Sequence, residues 1–339
     1  MSGATLSPGS ISTYVIDLGY EVMASSYQPD VEHFRSVSSN IIPISALHDA
    51  PYGHRGVTMV GVGQPTLHRD GDEVAAQTLG EGYAWQLAAN EYADRLVVPD
   101  SILEAANAQA RVQSLVQLFV TEYAKNSATK KDGIVAGMLQ KGTLSAGSAQ
   151  FFDGSYPGAP DANRKFIYDG KPWFAASGNA HPLKFATNAG AQGVNLTASL
   201  ALSATNLDTA YQAMTTTNAI DERGERIVIR PTKLLVGPAL RTTAMQVLES
   251  QLLPGSAQND INPNRGLLQV VVNPFLTDDA DAWWMLSDDA GLVIADSGAP
   301  VLVTYRDESR KCTVLQASFR FGAVVKDWRG AYCANKATS

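Results

Sequence analysis

Three patterns in this chain of 339 residues predict an α+β fold. Val112, Leu115, Val116, Phe119, Val120 and Tyr123 recur at the period of a helix with one apolar face. Two apolar runs, within 226–240 and 266–276, have the length and β-branched content of buried strands. Residues 311–325 alternate in character over enough positions for one long strand with a covered face.

Along the chain, residues 1–54 are irregular. One weak amphipathic stretch places Ile11, Tyr14, Val15, Leu18 and Val22 at near-helical spacing, and the segment reads as an arm that lies on something else. Residues 55–98 read as a long hairpin. Val57, Met59 and Val60 lead in, Tyr83, Trp85, Leu87, Leu96 and Val97 lead out, and Asp70-Gly71 marks the turn. A two-stranded hairpin alone in water is marginal, so it should rest on a neighbour. A helix is expected to begin near 99–104, where Ser101 and Glu104 have capping-box spacing, and to run to about Asn126. Residues 134–139 continue its axis after an interruption at Gly133.

Residues 142–198 are rich in loop formers, and a further helix is expected over 206–214. A compact α/β unit follows: a strand in 226–240, a helix over 241–250, a polar loop at 259–265, a strand in 266–276, and the pair Trp283-Trp284 as a core strand. The 311–325 strand then leads to Trp328 and Tyr332, which close the fold. The resulting division is 1–54, 55–98, 99–200, 201–300 and 301–339.

Charge and composition exclude several function classes. The formal net charge is -7, with 17% charged residues and 45% hydrophobic ones. Up to Ala124 there are five Arg, no Lys and fourteen acidic residues, a net of -9; the remainder nets +2. No basic stripe exists to grip a phosphate backbone. Cys312 and Cys333 fit neither a disulfide framework nor a zinc pattern and read as reduced thiols of a cytosolic protein. The N-terminus lacks the basic and apolar regions of a signal peptide, and no apolar run approaches a membrane span of about 20 residues.

The sequence holds little chemistry. His33, His48, His54, His68 and His181 do not pair at ligand spacing, and His181 reads as part of a His-Pro turn. Asp278, Asp279 and Asp281 lack the calcium-loop pattern and read as a solvated turn. There is no nucleophile elbow, dinucleotide fingerprint or phosphate loop. No catalytic residue, metal ligand or cofactor is expected. A well-built fold without chemistry points to a protein that works by assembling; the contrary reading is an α/β enzyme with an unmarked site.

Four segments carry a family resemblance: Asp169-Gly-Lys-Pro-Trp-Phe with His181-Pro182, Leu202 to Met214, Ile229 to Leu240, and Asn264 to Leu276. In order and spacing they resemble the major head proteins of tailed bacteriophages with the HK97-type capsid fold, closest to the Mu-type family. The resemblance covers roughly 165–285 by motif and the flanks by architecture.

It implies a structural subunit that assembles with itself into pentamers and hexamers, forming an icosahedral shell around double-stranded DNA without reading its sequence. Residues 1–54 would be an N-terminal arm, and 55–98 an extended loop overlapping a neighbour. Residues 99–200 would be a peripheral domain with a spine helix, 201–300 an axial domain, and 301–339 a return strand of the peripheral domain with the C-terminus. The loop tip, His68, Arg69, Asp70, Gly71, Asp72 and Glu73, supplies the candidate intersubunit contacts. Scaffold, portal and decoration proteins are implied as partners, with no membrane, and assembly in the host cytoplasm.

No lysine precedes Lys125, so the lysine–asparagine cross-link of some relatives is not expected. The arm-like region begins almost at Met1, so no large cleaved scaffolding segment is expected either. The alternative within the same fold is an encapsulin-like compartment shell.

Overall fold

Two five-stranded sheets and one long helix carry the fold of the computed structural model. Residues 21–23, 25–27, 32–48, 53–60, 80–103, 108–141, 167–185, 192–252 and 261–336 are described. The loop tip 68–73 and most of the 11–22 stretch lie outside them.

The first sheet is organised by its longest strand, Cys312–Val325. It comprises β1 (Ile41–Pro43), β4 (Asn90–Pro99), β11 (Leu292–Asp296), β12 (Val301–Asp307) and β13 (Cys312–Val325). β12 pairs antiparallel with the first half of β13, β11 with its second half, and β4 runs along it from Pro99↔Cys312 to Asn90↔Phe321. β1 joins parallel to β11. A separate ribbon, β2 (Gly53–Val60) with β3 (Gly80–Ala88), is antiparallel with a register shift between Val57 and Met59. The lead-out of the expected hairpin is therefore shorter than 55–98 implies: Leu96 and Val97 belong to β4, which pairs with β13 and not with β2.

Short helices α1 (Phe34–Val37) and α2 (Asp100–Leu103) flank the long helix α3 (Ala108–Lys141). The 34 residues of α3 run without a break through Gly133 and Gly137, so neither the end near Asn126 nor the interruption occurs. Ser101 lies inside α2 and is not a cap; β4 reaches Pro99 and the Asp100 N–H bonds the Lys311 carbonyl, so the sheet sets this start. The buried face of α3 carries Val112, Val116, Val120, Tyr123, Val135, Met138 and Leu139, whereas Leu115 of the expected stripe is exposed.

The second sheet has the order β7 (Leu196–Thr197), β14 (Ala331–Ala334), β10 (Trp283–Leu286), β8 (Lys233–Val236) and β9 (Gln269–Val272). Helices α4 (Ala204–Gln212) and α5 (Arg241–Leu248) cover one side of it, and β5 (His181–Pro182) pairs with β6 (Gln192–Gly193) nearby. Ser203 caps α4 by accepting from the Asn206 N–H.

The strand expected across 226–240 shrinks to Lys233–Val236. Pro231 lacks a ladder donor, and Val228 upstream is 84% exposed. The expected second strand is β9, an edge strand only partly buried.

Alternation along β10 explains the tryptophan pair. Trp284, Leu286, Leu235 and Cys333 enter one core with α3 and the first sheet. Trp283, Met285, Leu234, Val236, Tyr332 and Ala334 enter another with α4 and α5. The second sheet is thus a partition with an apolar core on each side, which is why its strands lack a polar face. The pairing also crosses the sequence-based division: β11, placed with 201–300, belongs to the first sheet, and β14, placed with the return segment, lies in the second.

Part of the presumed arm is built into the fold. Phe34 and Val37 are fully buried, and β1 extends the first sheet. A buried ionic cluster holds this segment. The Lys131 ammonium, with no exposed surface, donates to Glu32 Oε1 at 3.1 Å, Asp296 Oδ1 at 2.8 Å, the Gly298 carbonyl at 2.9 Å and the Tyr27 hydroxyl at 3.2 Å. Arg35 bridges the same carboxylates, at 2.7 Å to Glu32 and 2.9 Å to Asp296. Two cations and two anions balance. Burial and Glu32 push the Tyr27 phenol up, so it stays neutral.

Removing one partner of a buried pair strands the others. Lys131→Ala is expected to lower unfolding free energy by about 3–5 kcal/mol, measured by urea denaturation. A loss well under 1 kcal/mol, the scale of an exposed pair, would show the cluster to be solvated.

Candidate functional site

The inner face of the first sheet is closed. Leu302, Leu315, Ala317, Phe319 and Val98 pack with Val112, Val116 and Val120 of α3. Side chains alternate along a strand, so the neighbouring positions face the other way. There β12 presents Val301, Val303 and Tyr305, which are 55%, 51% and 42% exposed. In register across the sheet they continue as three rows: Val301–Ser318–Ala93, Val303–Gln316–Arg95 and Tyr305–Val314–Val97. Val97 is also exposed. Ion pairs border this face, Arg306 with Asp100 and Arg320 with Glu91, each at 2.9 Å.

β12 ends the order of the first sheet, so its outer edge has no partner among the described strands. An open apolar face beside a free edge is a surface built to be covered. The sequence reading missed it. Val301-Leu-Val-Thr-Tyr305 is apolar at both parities, and that double apolarity was the available signal.

A second exposed apolar group sits at the end of α5, where Leu252 pairs with Ile261. Ile261 is 82% exposed, and Leu252 and Leu267 are also exposed. Asn262 holds this tip: its side-chain amide donates to the Val247 carbonyl at 2.8 Å and the Ser250 carbonyl at 3.1 Å, while its Oδ1 accepts from the Asn264 N–H.

Candidate catalytic groups are sealed or scattered. His181 is fully buried, with Nδ1 at 2.6 Å from Asp169 and its ring stacked on Trp328 at 4.6 Å. This buried pair replaces the simple His-Pro turn, and with neither side chain accessible it cannot meet a substrate. The structure brings His48 and His54 side by side at 5.3 Å, a proximity that their spacing did not suggest. Among the described residues no three His, Cys, Asp or Glu groups come close enough to hold a metal ion. Cys312 and Cys333 are buried and free, and burial pushes the Cys333 thiol up. Asp278 and Asp281 are exposed in a turn, and Asp279 lies 3.6 Å from Lys336. No described helix is long and apolar enough to cross a membrane.

The profile of the phage capsid protein family matches residues 103–334. The chain belongs to this family. Its capsid fold is also that of solved shells. It superposes on the capsid of a native GTA particle with a TM-score of 0.51 and 12% identity, covering 89% of each chain. Also similar are the capsid of Ralstonia phage GP4 (TM-score 0.48, 13% identity, 89% and 90% of the two chains) and that of Myoviridae phage XM1 (0.47, 10%, 88% and 89%). No curated protein sequence matches the chain. At these identities the structural likeness is one of fold, the α+β HK97-type fold. The capsid protein is a structural subunit of a phage head, and the open sheet face belongs to a molecule that assembles with copies of itself.

A groove of about 420 Å³ between α3 and the Pro274-Phe275 turn is lined by His33, Lys125 and Asp132 among others. Burial holds the Asp132 carboxyl above its ordinary value, against the pull of the Phe34 and His33 N–H groups. A carboxyl raised in the folded state binds its proton more tightly there than when unfolded. Its contribution to stability is therefore greatest in acid and falls as pH rises above the ordinary value of 3.8. Asp132→Asn, which keeps the acceptor for Phe34, removes this dependence. The melting temperature of the variant minus that of the parent should increase as pH is raised from 3.8 and then level off. A difference independent of pH would contradict the assignment.

Proposed function

We propose that the capsid protein is the major head subunit of a Mu-type tailed phage, non-enzymatic, closing through five- and six-fold rings into an icosahedral shell around double-stranded DNA. The observation that carries the reading is the open β12–β13–β4 face, where Val301, Val303, Tyr305 and Val97 stay exposed within one chain. Closed symmetric assembly supplies that cover from identical neighbours.

In this reading residues 1–54 contain the arm, 55–98 the extended loop, 99–200 the peripheral domain with α3 as its spine, 201–300 the axial domain, and 301–339 the return. β11 pairs with β13 and β14 with β10, so in this reading the parts share their sheets across the boundaries. The tip residues His68 to Glu73 reach a neighbouring subunit, and the Leu252–Ile261 tip faces the symmetry axis. Scaffold, portal and decoration proteins join the shell in the host cytoplasm. The DNA is enclosed without base contacts.

Negative-stain microscopy of the expressed protein, alone or with its scaffold, should show shells or rings of subunits; a monomer under every condition would overturn the proposal. Val303→Asp puts a charge on the open face at a cost to the monomer within about 1 kcal/mol. It should keep the parent's circular dichroism while abolishing shells, and undiminished shells would remove this face from the interface. With no lysine before Lys125, shells heated in SDS should run as monomers. A ladder of covalent multimers would contradict that.

A further inference from the structure

The β2–β3 ribbon is rooted at one end. Leu87 is fully buried and forms a small core with Ala89, Val293 and Ala295. Behind it Gly322 comes so close to the Ala88 carbonyl that a Cβ there would fall 2.1 Å from the oxygen. Within the ribbon the Trp85 ring lies across Gly56, its register partner, where a Cβ would meet the ring at 2.1 Å. These contacts make a stiff ribbon on a fixed root. They leave its direction to whatever holds it farther out.

There the Tyr83 ring packs on Tyr168 at 5.6 Å, and one charged side chain adds a directed hydrogen bond. Five positions beyond Leu87, about 17 Å along an extended strand, the Lys184 ammonium donates to the Gly82 carbonyl at 2.6 Å. It also lies 5.4 Å from the centre of the Tyr83 ring. A rod held at one point pivots, and a second support at that distance fixes its angle.

The foot of this strut is anchored. The Lys184 N–H donates to Glu222 Oε2 at 3.1 Å, and the Phe185 N–H donates to the Glu222 carbonyl at 2.9 Å. Glu222 in turn accepts from Arg329 at 3.0 Å, with both side chains 6% exposed. Arg329 also donates to the Ile220 carbonyl. Glu222 lies in the turn before β8, and Arg329 lies between β13 and β14, so the strut stands on connections to both sheets.

We propose that Lys184 is a positioning residue that sets the angle at which the ribbon leaves the fold, and with it the place where one subunit's ribbon meets the next. The meeting place rests on the assembly reading above; the angle does not.

The test measures the angle inside one subunit. Spin labels at Val57→Cys on the ribbon and Asn126→Cys on α3 occupy exposed positions, while the native cysteines are buried. Labelled chains diluted into unlabelled protein report intramolecular distance by electron–electron double resonance. The parent should give one narrow distance distribution. Lys184→Met keeps the length of the side chain and loses the donor, and should give a shifted, broadened distribution. Lys184→Arg, which can still donate, should restore the narrow one.

Lys184 is exposed and belongs to no buried cluster, so the methionine variant should match the parent in amide exchange across β13. A distribution unchanged by Lys184→Met overturns the proposal, as does a broadening that Lys184→Arg fails to reverse. Absence of shells by microscopy would sink the assembly reading and leave the strut intact; an unchanged distance with shells present would do the reverse.

Discussion

The fold depends on a lysine that never meets water. Lys131 sits in the middle of α3, where an ammonium without acceptors would be intolerable, so every element around it supplies one. Tyr27 and Glu32 come from the N-terminal segment, Asp296 from β11, and the Gly298 carbonyl from the turn into β12. Tyr27, Phe34 and Phe319 surround the same charge with their rings. Apolar contacts would tolerate some sliding of the helix over the sheet. A cation with four acceptors tolerates little, so the cluster specifies register where the core supplies affinity. The first sheet, the long helix and the residues before β1 are thereby locked into one arrangement, and the open face of that sheet inherits its rigidity.

The second constraint is the partition sheet. A sheet buried on both faces needs apolar residues at consecutive positions, and Trp283-Trp284-Met285-Leu286 is that requirement written out. Trp283 satisfies its indole N–H on the Leu200 carbonyl at 2.8 Å. The indole of Trp284 has no partner among the described residues. The capsid fold places α4 and α5 on one side of this wall and α3 on the other, so the Leu252–Ile261 tip is presented by a body packed from both sides.

Elements whose signal is local were legible in the sequence. The alternation in 311–325 became β13, and the apolar stripe became the first half of α3, because period alone decides such cases. Elements set by distant contacts were not. Gly133 reads as an interruption, yet packing through Val135, Met138 and Leu139 outweighs its poor helix propensity. Residues 226–231 look like strand and are not, because Pro231 cannot continue the ladder into β8. β4 reads as a hairpin strand because its true partner, β13, lies more than two hundred residues away. The absence of a catalytic constellation was readable; the surface that takes its place was not, since exposure is a property of the assembled sheet.

β14 lies between β7 and β10, in the interior of the partition, and it is the last of the described strands to leave the ribosome. Until Ala331–Ala334 is in place, Trp284 and Leu286 are paired only on the β8 side, and each core lacks the side chains β14 adds to it. Domains fold as their chains are delivered, and here delivery of the final strand is the step that completes both halves together. One strand is thus shared by both cores, so losing it would loosen α3 on one side of the partition and α4 and α5 on the other at the same time.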